Sequence, residues 1–405
     1  MIFLDLSFIL IVVAKTPVSI VRLDNYRPDL VAAALTRALD LLGGLASIIR
    51  PQSRVFVKIN HLSPATPPER GIVTHPVLTG ELLKLLKLMN CDVTVGDDVR
   101  SGAADGFAIS GYRELCRTLG VRLANLKEAG FRKMPLHGSR LRAVFISSLC
   151  LDAEFIIDLA KLKTHSFTVF TGAVKNMFGV IPHGLRVDGH RQFSQIDQFS
   201  EMLVDIFSCV RPHLTIMDGV VAMEGEGPAA GRLRTTGVIV ASRDGIAVDA
   251  VSSNIIGFNP LDISTTADAD RRGLGQGQLS HIEILGEPLA SVRIKKFKHS
   301  AIALGLLRRK IPSRLFSSLY DHLALIPEVI GGRCTGCLEC AAICPVGAAQ
   351  NRGGQAWLDQ TTCIHCMCCH EVCRFEAVRV RKRFLGRLIS GVEALWNAVR
   401  PRRFG

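Results

Sequence analysis

Nine of the chain's 13 cysteines fall between Cys334 and Cys373, and their spacing is the most chemically specific feature of the sequence. Cys334, Cys337, Cys340 and Cys344 stand at C-x2-C-x2-C-x3-C and precede Pro345. Cys363, Cys366, Cys369 and Cys373 repeat that spacing, with Arg374 in the proline's place. In such paired runs the first three cysteines hold one cubane and the remote fourth reaches the other. The spacing predicts two 4Fe-4S clusters, one on Cys334, Cys337, Cys340 and Cys373, the second on Cys363, Cys366, Cys369 and Cys344. Zinc also takes C-x2-C pairs, but it does not require a third and fourth cysteine at these offsets twice over. Cys368 is left as a free thiol. Cys91, Cys116, Cys150 and Cys209 lie in apolar runs and read as core packing. Ligation rather than disulfide bonding implies a reducing, cytoplasmic setting.

A second dense stretch is KLKTHSFTVFTGAVKNMFG, Lys161–Gly179. Phe155, Ile157 and Leu159 share one face of the strand before it, and period two continues that face as Lys161, Lys163 and His165. The helix expected next carries Thr171 and, four residues on, Lys175, with Gly172 and Gly179 permitting close approach. Ligands bind at the carboxyl ends of strands in open α/β sheets. Other strand ends are also ionisable or polar: Lys58, Asn60 and His61, then Asp97 and Asp98, Asp218, and Asp244. Each has a plainer reading alone, since Asp after a strand caps helices and Lys at a strand exit is solvated. Together they predict one cationic cleft for a small anion bearing carboxylate or phosphate. Its expected catalytic residues are Lys163, His165 and Lys175, with His165 a proton donor, and its binding residues are Lys58, Asn60, Lys161, Asn176 and Glu224. Glu224 and Glu226, in the glycine-rich MEGEGPAAGR, are candidate divalent-metal ligands with Asp97 or Asp218. No G-K-[ST] follows that loop and no G-x-G-x-x-G opens a helix after the first strand, so neither nucleotide fingerprint is present. His183 and His190 read as solvent-facing loop histidines.

The elements that must position these groups alternate. VSIVRL, RVFVKIN, CDVTVGDD, AEFIIDLAKLKTH, LTIMDG, TGVIVASRDG and IEILGE read as strands, with amphipathic stretches between most of them. That order predicts an α/β domain over residues 18–287, a largely parallel sheet flanked by helices. A basic connector, 288–330, a small cysteine-rich α+β domain, 331–380, and a basic amphipathic tail, 381–405, complete the organisation. Residues 288–405 carry 19 Lys/Arg against 7 Asp/Glu, nearly the whole of the net +13. This basic part suits an acidic redox partner or an anionic membrane surface. In the tail, Phe384, Leu385, Leu388, Ile389, Val392, Leu395, Trp396 and Val399 follow helical spacing between basic flanks, which predicts peripheral membrane contact or packing onto the cysteine-rich unit. The chain has only two Trp and three Tyr and the tail shows no aromatic interleaving, which disfavours nucleic acid. The apolar run Phe3–Ala14 is too short to span a bilayer and has no basic start, so residues before about 16 are expected to be dispensable.

The residues also carry a resemblance. KIN at Lys58, THP at Thr74, Lys161–Gly179, MDG and MEGEGP between Met217 and Pro228, and SRDGIAVDAV from Ser242 resemble domain-of-unknown-function family three hundred and sixty-two. That family comprises iron-sulfur proteins that often end in a ferredoxin unit. The segment from Cys334 resembles bacterial two-cluster ferredoxins, which implies a ferredoxin-like domain after the α/β one. Where family members have proline in K-x-N and a glycine-lysine pair further on, this chain has Ile59, and His183 and Arg186. The expectation is an iron-sulfur oxidoreductase passing electrons from a redox partner protein through two 4Fe-4S clusters to a small anion. The alternative is a non-enzymatic electron-transfer or assembly protein that docks a partner.

Overall fold

The computed structural model describes residues 14–62, 66–99, 105–300 and 325–382. The expectations for residues 1–13 and for the tail beyond 382 lie outside the described residues.

Among the described residues, eleven strands precede the cysteine-rich segment. They are β1 (Thr16–Arg22), β2 (Arg54–Ile59), β3 (Asp92–Asp97), β4 (Arg122–Asn125), β5 (Phe131–Pro135), β6 (Ala143–Ser147), β7 (Phe155–His165), β8 (Val169–Thr171), β9 (Leu214–Glu224), β10 (Arg232–Ser242) and β11 (Ile282–Gly286). Nine form one sheet in the order β11-β1-β10-β9-β7-β2-β3-β4, with β8 pairing β7 off this path, while β5 and β6 form a separate hairpin. The run from β9 through β7, β2 and β3 to β4 is parallel throughout. β10 is antiparallel to both β9 and β1.

Period two in the strands explains the layers. Val55, Val57 and Ile59 of β2 pack with Leu35, Leu82 and Leu86 from the helices Pro28–Asp40 and Pro76–Leu88. Phe56, between them, points to the other face and packs with Val204 and Phe207 of the helix Ile196–Cys209. Further along that second face, Ala160, Leu162 and Met217 meet Ala247, Val251 and Ile255 of the helix Gly245–Ile255. Strands covered on both faces need apolar side chains at successive positions, as their near-continuous hydrophobic runs show. Cys116 and Cys150 are buried in these cores and Cys91 and Cys209 pack against them. The protein is thus mixed α/β, with a mostly parallel central sheet between helices. Among the described residues no helix is long and apolar enough to cross a membrane.

Several boundaries differ from the sequence reading. Thr171 ends strand β8, and only Lys175 lies on the short helix Ala173–Asn176. His183–Gln192 is a helix, not a loop. The first part of the expected connector belongs to the α/β body, because Val292 and Phe297 pack into its core.

The cysteine-rich unit begins earlier than 331, at β12 (Leu325–Val329), which pairs antiparallel with β15 (Val378–Lys382). Between them β13 (Ala349–Arg352) pairs with β14 (Gln355–Leu358). Short helices Glu339–Ile343 and Cys368–Val372 occupy equivalent places in the two halves. Leu338 and Met367, each following the second cysteine of its run, both take positive φ, 58° and 63°. The sequence duplication is therefore also a backbone duplication.

Gly96 tests the sheet packing. A Cβ there would lie 2.3 Å from the Ala124 carbonyl oxygen on β4. Gly96→Ala should lose about 1–3 kcal/mol of stability in urea unfolding. Gly184→Ala, in a helix with nothing within 4 Å of the new Cβ, should be neutral or gain up to ~1 kcal/mol.

Candidate functional site

β7 carries its apolar face, Ile157 and Leu159, into the core and continues it as Lys161, Lys163 and His165. These three do not form a solvated rim: each is 1% exposed, and Lys58 at the end of β2 is fully buried. Burying an ammonium requires a partner, and the neighbouring strands supply two. Lys58 Nζ lies 2.8 Å from Asp97 Oδ1 on β3 and also donates to the Ile59 carbonyl. Lys161 Nζ lies 2.9 Å from Asp218 Oδ2 on β9 and donates to the Tyr26 hydroxyl at 2.8 Å. Tyr26 donates in turn to Asp218 Oδ1, and the His75 backbone N–H to Oδ2. Burial raises the Asp218 carboxyl, but Lys161 and these hydrogen bonds outweigh it and hold the group below its ordinary pKa. Gly179 is required beside the first pair, since a Cβ would come within 2.5 Å of Asp97 Oδ1 and 2.9 Å of Lys58 Nζ. Gly172 leaves room for Asp249, whose carboxylate accepts the Ala173 and Val174 N–H groups.

Beside these pairs lies a cavity of about 70 Å³, room for several waters or a small acid but not for a nucleotide. It brings together Lys58, Asn60, Lys163, His165, Lys175 and Asn176, and adds His61, Asp97, Thr171, Arg186 and Glu371. Lys163 donates to Asn60 Oδ1 at 2.8 Å and to the Ile72 carbonyl at 2.6 Å. Burial is the main cause that pushes its amine down to about 7, with the Lys161 charge adding to it. Lys175 is lowered by burial too, and its ammonium lies over the rings of Phe178 and Phe199. His165 Nδ1 accepts the Phe167 and Thr168 N–H groups, so the neutral ring carries its proton on Nε2, 3.3 Å from Glu371 Oε1. Burial holds that histidine well below its usual value and raises the Glu371 carboxyl. Arg186 pairs with Asp98 at the edge of the cavity.

Three expected groups are elsewhere. Lys161 is engaged by Asp218 and Tyr26 and does not line the cavity. Glu224 accepts the Lys298 N–H. Asp244 caps a helix through the Ile246 and Ala247 N–H groups. With Asp97 and Asp218 both paired to lysines, the divalent-metal set suggested around Glu224 does not assemble. His190, read as solvent-facing, is buried and stacks on Phe199 at 4.3 Å.

Glu371 was missed because its run reads as metal ligands. The duplication held the signal: the first copy has Ala341 and Ala342 between its last two cysteines, where the second has His370 and Glu371. Both point at the α/β body, Glu371 to His165 and His370 Nε2 to the Glu226 carbonyl at 3.1 Å. In the cysteine-rich unit, Cys334, Cys337, Cys340 and Cys373 line one cavity with Ala356 and Val378. Backbone N–H groups of Ala356, His365 and Ala377 point at the sulfurs of Cys334, Cys363 and Cys373, at 3.2 to 3.4 Å. Cys368 is buried beside Cys366, and its thiol is pushed well up, first by that neighbour and then by burial. Among the described residues no three His, Cys, Asp or Glu side chains converge to hold a single metal ion.

Residues 55–254 match a family described as Domain of unknown function (DUF362). A Synechocystis sp. protein, Thylakoid-associated protein sll1697, is 32% identical over 259 residues, which span 64% of this chain and 79% of that one. Among solved structures, the lactate racemase apoprotein from Thermoanaerobacterium thermosaccharolyticum overlaps 60% of this chain and 57% of its own, at 12% identity and a TM-score of 0.38. A Thermotoga maritima protein overlaps 55% and 57%, at 13% identity and a TM-score of 0.32. The chain thus spans just over half the length of either.

The cavity's histidine content makes stability depend on pH. His61 is held down to about 4 by burial, against 6.5 when unfolded. Between those values the unfolded chain binds the extra proton, so stability falls as pH drops from 6.5 to 4 and levels off below. The gap corresponds to ~3 kcal/mol. His75, also held to about 4 by burial, adds in the same direction. In urea titrations across this range His61→Gln should flatten the slope relative to the parent; an unchanged slope would show that His61 does not titrate so.

Proposed function

The chain belongs to the DUF362 family, and from that premise we propose that it is a redox protein whose cysteine-rich unit carries two 4Fe-4S clusters and serves a small anion held in the cavity at the end of β7. The observation that carries this reading is the position of Glu371. It sits between Cys369 and Cys373, and its carboxyl reaches His165 in the cavity wall. One turn of helix thus joins the cysteine run to the polar cavity.

The cysteines suit the group. Four thiols around one cavity in an apolar setting, with backbone N–H groups aimed at sulfur, are the features that hold cubanes and tune their potentials. Cys334, Cys337, Cys340 and Cys373 would hold one cluster and Cys363, Cys366, Cys369 and Cys344 the other. When bound, such clusters supply single electrons. The remaining work falls to the chain's own side chains. Lys175 and Arg186 offer positive charge to a carboxylate or phosphate, Lys163 adds a donor, and His165 presents Nε2–H. Burial keeps water from competing for these contacts. Glu371, raised by burial, is the acid best able to deliver a proton.

Anaerobically prepared protein should contain about eight iron and eight sulfide per chain, with charge-transfer absorbance that dithionite bleaches. A colourless, zinc-filled preparation would overturn the cluster assignment. Addition of a small organic acid should restore the absorbance of the reduced protein if it is an enzyme. Reoxidation by a protein partner alone would instead make it an electron carrier.

The relative's thylakoid association supports a further proposal, that this chain too works at a membrane surface through the basic, apolar sequence Arg381–Arg403. Co-sedimentation with anionic but not neutral liposomes at low salt is the expected result, and no binding to either would refute it.

A further inference from the structure

Three lysines stand at the ends of β2 and β7, and their partners differ in kind. Lys58 and Lys161 each face a carboxylate within 2.9 Å. Lys163 is held by two neutral oxygens, Asn60 Oδ1 and the Ile72 carbonyl. Among the described residues no carboxylate lies within ion-pair distance of its Nζ. A buried ammonium so placed relieves its desolvation by giving up a proton, in line with the fall of Lys163 to about 7. The neutral amine spends its two N–H bonds on the two oxygens and keeps a lone pair. Desolvation of this kind is one way a lysine becomes a nucleophile toward carbonyl compounds.

The surroundings narrow the carbonyl compound. Lys175, on the same cavity, makes no hydrogen bond or ion pair among the described residues and is free to meet an anion. Thr171 Oγ1, on a residue 3% exposed, lines the same space without a hydrogen-bond partner. A cavity of about 70 Å³ admits only a few heavy atoms, so the anionic group and the carbonyl must be adjacent in one small molecule.

We propose that Lys163 forms an imine with a small α-oxo acid whose carboxylate is held by Lys175. This rests on the anion-site reading above and names its substrate class. The Nζ lone pair adds to the ketone carbon, giving a carbinolamine. The two protons of the neutral amine then leave with the carbonyl oxygen as water, and a C=N bond remains. No oxidant or reductant enters the step.

The test uses the full chain, prepared anaerobically, with pyruvate as probe. Incubation with pyruvate and cyanoborohydride, followed by digestion and mass spectrometry, should give near-stoichiometric reductive alkylation of Lys163, competed by lactate, which has the carboxylate but no carbonyl. Lys163→Arg should abolish the adduct. The map of the parent protein decides even if that variant fails to fold, because it identifies which lysine reacted. Modification confined to Lys58, Lys161, Lys175 or exposed lysines overturns the proposal. If pyruvate and lactate both raise the melting temperature and no adduct forms, the imine is wrong and the anion site stands. If neither stabilises and none forms, both fall.

Discussion

The site depends on one constraint: a positive charge brought into a parallel sheet must meet its counter-charge from a neighbouring strand. Lys161 and Asp218 are direct partners across β7 and β9, and Lys58 lies opposite Gly96, one residue before Asp97, across β2 and β3. A one-residue slip between β7 and β9 would send Lys161 and Asp218 to opposite faces and leave two buried charges unpaired. Removing one member of such a pair typically costs about 3–5 kcal/mol. The charge pairs therefore tie β7 to β9 and β2 to β3 at the floor of the cavity.

Against that background Lys163 is the exception. It is as deeply buried as its neighbours, yet its hydrogen bonds go to an amide and a peptide carbonyl. The fold satisfies its N–H groups without neutralising a charge, the arrangement that favours the uncharged amine. The acid nearest the cavity's far wall, Glu371, comes from the cysteine-rich unit some two hundred residues later in the chain. The cavity thus draws its groups from two parts of the fold, basic side chains from β7 and the helix after it and an acid from the cysteine run.

The parallel order was legible in the alternation of strands and helices, the two covered faces in near-continuous apolar runs, and the shared face of Lys161, Lys163 and His165 in a period of two within one segment. So was the need for Gly172 and Gly179, although the groups that crowd them, Asp249 and the Lys58–Asp97 pair, were not. The pairing of Lys161 with Asp218 was out of reach for a physical reason. Both residues read as strand-end charges, but which ends meet depends on strand order, and β9 lies beside β7 only after a long excursion through β8 and three α-helices. Exposure was misjudged on the same ground. A lysine at a strand exit is solvated unless something covers it, and the covering material, the MEGEGP loop and the helix Cys368–Val372, belongs to distant sequence. His190 was misplaced because a histidine between glycines and charges gives no periodic signal of burial, and it is buried by Phe199 from the next helix.

The way the cysteine-rich unit is seated bears on what the cavity can do. It meets the α/β body through Arg70 and Glu376 at 2.7 Å, through His370 and the Glu226 carbonyl, and through Glu371 and His165. Only the second cysteine run makes these last two contacts, with residues that the first run replaces by alanines. The duplication has therefore diverged where it touches the site and kept its backbone where it bears cysteines. If the unit did no more than store electrons for a distant partner, a docking face of any composition would serve. A glutamic acid aimed at a neutral histidine, beside an amine without a counter-ion, is instead the composition of a place where protons and charge are managed together, and the chemistry proposed here for the cavity draws on that wall.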